Sequence, residues 1–289
     1  MNPVDASSLL AGESEPPSRL AVTVVVARPV ANLDGAYEVL LSERGRGAFA
    51  RGLWVFPGGC VDEDDAHILY DLDASVVCIA DRFGITTVRA SALVVGALRE
   101  LAEEAAIVRP GPLARTLTVA EWQSARGGAF IFEPPSGPIW ALSRWLPPRI
   151  ERRRFDTFFL VTEVPAGLVA RADGDELLAH RWLTPTAALE EFRLETLPLV
   201  PPTFRTLVEL SAFDTLAKLR AALAVHWPPV NSPMVRAAAA TEGPAGAGWV
   251  SEFSPDVRPG LDGQRAEPFY YDGQRWTPVE PATKAAQQK

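Results

Sequence analysis

Six consecutive residues, Arg99-Glu100-Leu101-Ala102-Glu103-Glu104, constrain this chain more than any other stretch. They sit inside an apolar periodicity of Val94, Leu98, Leu101 and Ala105, which predicts a helix over 91–106 with its acids on the opposite side. Glutamates three and four positions apart face one another on a helix, and like charges so placed cost roughly a few tenths of a kcal/mol per pair. A hard divalent cation reverses that sign, because Mg2+ or Mn2+ takes carboxylates together with substrate phosphates. Arg99, one turn before Glu103, is placed to orient it through a charge-assisted bond. A solvated helix face is the competing reading of this stretch taken alone.

The second feature is Gly52-Leu53-Trp54-Val55-Phe56-Pro57-Gly58-Gly59, a short strand ending in a glycine pair. Glycines there let backbone approach a ligand closely and offer a carbonyl to a metal. Around these pieces the pattern alternates between strand and helix. A β-branched run, 21–27, and Tyr37–Arg44 read as a hairpin across Asp34-Gly35. The acidic stretch after Gly59 reads as loop, followed by a short helix ending at Gly84. Three aromatic-rich strands follow, within 139–146, 154–164 and 177–185, then a helix with Thr184 as N-cap and Pro185 in its first turn. Residues 201–225 read as one or two further helices. The fold class is therefore α/β. Residues 1–18 read as a flexible tail. Residues 226–289, rich in Pro, Gly and Ala, read as an extension whose Asp272-Gly273 hairpin packs aromatics on the main body.

Composition limits the partners. With 36 acids against 28 bases the net charge is −8, which argues against nucleic acid or an anionic membrane as partner. No segment nears the roughly 20 apolar residues of a membrane span. The start of the chain lacks a secretory pattern, and the two cysteines, Cys60 and Cys78, form no disulfide framework; a reducing, cytoplasmic setting is the expectation. His67, His180 and His226 are scattered and read as structural, and Cys60 as incidental.

Together, the acidic helix and the glycine pair resemble the signature of the Nudix hydrolases, Gly-x5-Glu-x7-Arg-Glu-U-x-Glu-Glu-x-Gly-U with U bulky and apolar. Arg99, Glu100, Leu101, Glu103, Glu104 and Ile107 match its second half, and Ala106 stands where the pattern has glycine. Gly59 and Arg99 stand 40 positions apart where the signature has 14, so about 26 residues, near 62–90, are inserted. Counted back from Arg99, the first glutamate's place holds Ser91, while Asp62, Glu63, Asp64 and Asp65 lie near the glycines. Long inserts at this point are a mark of the branch that includes coenzyme A diphosphatases. Arg153-Arg154-Phe155-Asp156-Thr157 resembles an Arg-Phe-Asp-Thr segment of that branch, and Leu40, Leu41, Arg44, Gly52 and Phe56–Gly59 partly match its coenzyme A motif.

The resemblance implies an α/β/α sandwich with a mixed sheet over 19–225, and hydrolysis of a diphosphate in a nucleotide derivative. It implies Mg2+ or Mn2+ held by Glu100, Glu103 and Glu104 with a carbonyl of Gly58 or Gly59. Glu100 acts as ligand, or instead as orienter or base. Arg99 orients; Glu176 is an outlying ligand or base, or a solvated loop acid. Arg44, Arg51 and Arg154 are candidates for phosphate or 3′-phosphate contacts, with solvated surface arginines as the competing reading; Asp156 is a structural loop bond. Relatives suggest a homodimer. The alternatives are a nucleoside-diphosphate-sugar or dinucleotide pyrophosphatase, and a silent nucleotide-binding regulator.

Overall fold

Burial on both faces of an eleven-residue strand rich in β-branched residues sets the frame of the molecule, because Val22, Val24 and Val26 face one layer and Val25 the other. The structure is a computed structural model. It describes residues 18–31, 33–45, 52–67, 74–128, 133–146, 154–172, 174–225, 228–232, 234–237, 249–252, 269–271 and 276–278. The chain divides into two compact units. The larger is Ser18–Trp145 with Phe155–Val230; the smaller is Met1–Pro17, Leu146–Arg154 and Asn231–Lys289.

In the larger unit β1 (Arg19–Pro29) and β2 (Tyr37–Arg44) form the expected hairpin, with Ala27 opposite Val39. The two strands then diverge. Two short strands, β3 (Trp54–Val55) and β4 (Gly58–Cys60), occupy that fork: β3 pairs with the end of β2, and β4 pairs with the start of β1 through Val22 and Gly59. A single 3-10 turn, Asp64–Ala66, precedes α1 (Ala74–Phe83) and α2 (Thr87–Ala105). A small hairpin of β5 (Ile107–Val108) and β6 (Arg115–Thr116) leads into α3 (Val119–Arg126). Then come β7 (Trp140–Trp145), β8 (Phe155–Glu163) and β9 (Leu177–Leu183), followed by α4 (Pro185–Arg193), α5 (Pro201–Ser211) and α6 (Leu216–Val225). The sheet runs β7-β8-β1-β2-β3, with β4 also on β1 and β9 on β2. It is mixed, because β8 lies parallel to β1 while the other pairs are antiparallel.

One core lies between the sheet and the helices of the insert. It gathers Val22, Val24 and Val26 of β1, Phe158 and Leu160 of β8, Val76 and Ile79 of α1, and Leu93, Leu98 and Leu101 of α2. Phe83, at the end of α1, meets Phe158 edge-on at 4.8 Å. The insert thus contributes core helix α1 and the first turn of α2. Helix α6 packs against β1 and β7. Helix α2 starts a turn earlier than the periodicity predicts, because Thr86 caps it by accepting the amide of Arg89. Thr184 caps α4 in the same way, with Pro185 in the first turn. The run at 201–225 is two helices. Helix α3 has no counterpart among the sequence expectations, although Thr118 and Glu121 form a complete capping box.

The smaller unit carries a four-stranded antiparallel sheet of β11 (Met234–Ala237), β12 (Trp249–Glu252), β13 (Phe269–Tyr271) and β14 (Trp276–Pro278); β10 (Val230–Asn231) is where the chain passes between units. Tyr271 pairs with Trp276 across the expected hairpin, whose Asp272 and Gly273 lie outside the described residues. So does His226.

Candidate active site

The fork in the sheet brings Gly58 and Gly59 against the last turns of α2. Gly58 has φ +150 and abuts the backbone of Val22 and Thr23, so a side chain there has no room. A Cβ on Gly59 would collide with the Glu100 carboxylate. Only glycine therefore lets Glu100 lie over the strand. The Gly58 amide donates to Glu104 Oε2 at 2.8 Å. The acids do not line a solvated face: Glu100 is 9% exposed, and Glu103 and Glu104 are partly buried.

Arg99 is the hub. Its Nη1 donates to Glu100 Oε1 and Glu103 Oε2, each at 3.1 Å, and its Nη2 donates to the Cys60 carbonyl at 2.8 Å. Arg99 also forms a fork onto Asp65, with Nε to Oδ1 and Nη2 to Oδ2 both at 3.1 Å. Asp65 is 2% exposed, and its Oδ2 also accepts the Asp62 amide. Sequence reasoning left the place of the first signature glutamate without an equivalent. Counted forward from Gly59, that place is Asp65, and the structure gives it the arginine. Ser91, reached by counting back, is buried in α2 and belongs to the insert. The insertion therefore follows Asp65.

Electrostatics mark the same spot. Burial, opposed by Arg99 and reinforced by Glu103, pushes Glu100 up to about 7. Burial and then the Glu100 charge push Glu104 up to about 8, against the Gly58 amide and Arg44. Burial also raises Glu103. Burial lowers the proton affinity of Arg99, but its bond to Asp65 and the surrounding acids outweigh this and raise it. The charge of Glu176 reaches both Glu100 and Glu104 and raises each, so it borders the site; its carbonyl accepts the Gly45 amide. Arg44 faces Glu104 from the end of β2, and its buried Nε has no hydrogen-bond partner among the described residues.

Arg51 is outside the described residues, and Arg154 belongs to the smaller unit. Asp156 is structural, as read, but it serves two arginines rather than a loop: Arg144 binds it at 2.7 and 2.8 Å and Arg89 at 2.8 Å. Two groups that sequence reasoning did not assign to the site touch its backbone. Trp122 Nε1 donates to the Glu103 carbonyl at 2.9 Å, and His180 Nε2 lies 3.0 Å from the Glu104 carbonyl. No sequence pattern reports such bonds.

The donor set fits a hard cation in chemistry: buried carboxylate oxygens in excess over cationic partners, with proton affinities raised chiefly by burial and further by their mutual repulsion. Among the described residues, however, no three His, Cys, Asp or Glu groups gather as a metal site. Arg99 and the Gly58 amide instead hold oxygens of Glu100, Glu103 and Glu104.

No protein-family profile matches the chain. An 88-residue stretch is 36% identical to the acyl-coenzyme A diphosphatase NUDT19 of Xenopus laevis, covering 28% of this chain and 23% of that protein. The chain therefore spans less than a quarter of this relative's length. The crystal structure of a NUDIX hydrolase from Alicyclobacillus acidocaldarius aligns with a TM-score of 0.56 at 26% identity, over 73% of this chain and 98% of that one. The NUDIX domain of Shewanella oneidensis NrtR, complexed with ADP ribose, aligns over 75% of this chain and 99% of its own at 17% identity and TM-score 0.40. Among the described residues no helix is long and apolar enough to cross a membrane.

Proposed function

We propose, for a chain of the Nudix superfamily that resembles the acyl-coenzyme A diphosphatases, metal-dependent hydrolysis of the diphosphate in a nucleotide derivative, with coenzyme A or an acyl-coenzyme A as substrate. The observation that carries this reading is the packing of Glu100 and Glu104 against Gly58 and Gly59, where buried acids outnumber Arg99. Glu100, Glu103 and Glu104, with a carbonyl of the glycine pair, would hold Mg2+ or Mn2+. Bound there, the ions would neutralise the diphosphate and acidify a water. Arg99, fixed by Asp65, keeps Glu100 and Glu103 in place. Arg44, a cation with a free buried Nε, is suited to a phosphate oxygen. Water attacks one phosphorus, the bridging P–O bond breaks, and two phosphomonoesters leave. Glu176 or Glu100 accepts the proton of that water.

The test is incubation with coenzyme A, an acyl-coenzyme A, ADP-ribose and NADH in Mg2+ or Mn2+, with products read by mass. Release of 3′,5′-ADP and a phosphopantetheine is expected, and Glu103→Gln or Glu104→Gln should lower turnover about 100-fold or more with the fold retained. Cleavage of ADP-ribose or NADH alone would replace the substrate. No turnover, with nucleotide binding intact, would make the chain a silent binding module.

A further inference from the structure

The turn of α2 that carries Glu103 and Glu104 is the last turn of its helix, and this is an awkward place for them. The last four carbonyls of a helix have no partner within it. Helix ends fray, and the partial negative charge there repels carboxylates. The Ala106 amide returns to the Leu101 carbonyl and closes the helix, leaving the carbonyls that follow without a helical donor.

Four donors from outside the helix meet them in sequence. Trp122 Nε1 takes the Glu103 carbonyl at 2.9 Å, and His180 Nε2 takes that of Glu104 at 3.0 Å. The Arg171 amide takes Ala105 at 3.0 Å, and the Leu117 amide takes Ala106 at 2.7 Å. Two of these are backbone bonds that many side chains would permit. The other two depend on the identity of one residue each, and they fall on the two glutamates.

The geometry also fixes how His180 does this. Both neighbours of Nε2 are carbonyls, Glu104 at 3.0 Å and Arg171 at 3.1 Å, so Nε2 carries the hydrogen. Nδ1 is then the acceptor for the fully buried Ser42 hydroxyl at 2.9 Å. His180 and Ser42 are register partners on β9 and β2, so the ring stands on paired strands. Trp122 stands on α3, whose start is locked by the Thr118–Glu121 capping box and by Arg115 on both oxygens of Glu121, at 3.0 Å each. Neither support belongs to the glycine–helix motif.

We propose that Trp122 and His180 are positioning residues that clamp the backbone of Glu103 and Glu104, so that both carboxylates are presented in one register to divalent cations. This rests on the metal-site reading above. The two residues touch no reacting atom; they act through the turn that they hold. Outer partners of metal-holding groups typically change affinity or activity 10–100-fold when lost.

The experiment compares Trp122→Phe, which keeps the ring and removes the donor, with His180→Phe and His180→Asn in the full chain. Mn2+ affinity is read by calorimetry, and amide hydrogen exchange is read separately on peptides from the first and last turns of α2. Turnover and KM are read on whichever diphosphate the wild type cleaves. Trp122→Phe and His180→Phe should each weaken Mn2+ about tenfold or more and lower kcat with KM little changed. Exchange should accelerate in the 99–107 segment while the segment beginning at Thr87 stays protected. His180→Asn, which retains an N–H donor, should recover part of the loss. Mn2+ affinity and local exchange within twofold of wild type in both Phe variants would overturn the proposal. So would faster exchange spread evenly along α2, which is the mark of a merely structural role. Glu103→Gln is the control: if it too leaves Mn2+ affinity unchanged, the metal-site reading falls, not the clamp alone.

Discussion

The two ends of α2 hold opposite charge, and at both ends the charge runs against the helix dipole. At the start, Arg89 lies near the positive pole and joins Arg144 on the single carboxylate of Asp156, with both guanidinium groups 5.0–5.3 Å from the Phe158 ring. At the end, about 22 Å along the axis, Glu103 and Glu104 lie at the negative pole, with Asp65 and Glu100 beside them and Arg99 in their midst. The first cluster is two cations on one anion, both bound through short direct bonds. The second sets four acids against Arg99, with Arg44 facing Glu104 from the end of β2. Neither placement helps an isolated helix. The first is explained by its own bonds; the second is left with buried negative charge that its own bonds do not settle. A closed ion cluster is architecture. An open one, packed over a glycine pair, is the property expected of a functional site.

The sharpest way to break this contrast is to remove one aspartate from each cluster. Asp156→Ala leaves two arginines facing each other over Phe158. Because both are partly open to water, the expected loss is about 2–3 kcal/mol rather than the full cost of an isolated buried charge. Mn2+ affinity should not change. Asp65→Ala leaves Arg99 still paired with Glu100 and Glu103, so it should cost about 1 kcal/mol. It frees Arg99 to compete for those carboxylates, and Mn2+ affinity should fall about tenfold. Thermal unfolding and Mn2+ calorimetry on both variants decide the matter. Equal loss of Mn2+ affinity in the two would mean that the clusters are not separate in kind.

What the sequence disclosed follows from the range of the interactions involved. The acids, the apolar stripe and the β1–β2 hairpin are patterns of near neighbours, and they were readable. Asp65 was not, because its partner Arg99 lies 34 positions away and the insertion hides the spacing when it is counted from the arginine. Trp122 and His180 were unreadable for another reason: they bind backbone carbonyls, and a carbonyl leaves no mark in the residue that carries it. The helical wheel put Glu100 away from the apolar stripe but could not say that β4 would cover it.

A pH series sharpens the same comparison without mutation. Glu100 and Glu104, raised to about 7 and about 8 chiefly by burial, hold protons in the folded state that the unfolded chain releases near pH 4.5. For an acid raised on folding, stability is greatest while the group is protonated and is lost as pH rises through the folded value. Metal-free protein should therefore lose melting temperature as pH rises from about 4.5 to about 8. Mn2+ should restore it most at the upper end, where the ligands are already ionised, and its uptake at pH 7 should release protons into the buffer. A flat melting profile in chelator, or an Mn2+ effect equal at both ends of the range, would mean that the acids at the end of α2 are no more frustrated than Asp156 at its start.

The smallest effect tests the seam where the helix closes. Ala106 stands where the Nudix pattern has glycine, and it adopts the left-handed conformation, φ 57 and ψ 28, that makes glycine the usual choice. A non-glycine residue there costs about 1 kcal/mol. Its methyl group is fully buried with Ala102, Val108, Leu117 and Ala125, and Trp122 packs on the same cluster. Burying one methyl returns about 0.8 kcal/mol. The two terms nearly cancel, so Ala106→Gly should shift stability by less than about 1 kcal/mol in either direction. If the methyl also seats Trp122, the variant should lower Mn2+ affinity slightly while melting stays put. If Mn2+ affinity is untouched, the indole is held by α3 alone, and the alanine is only a tolerated replacement at the cap.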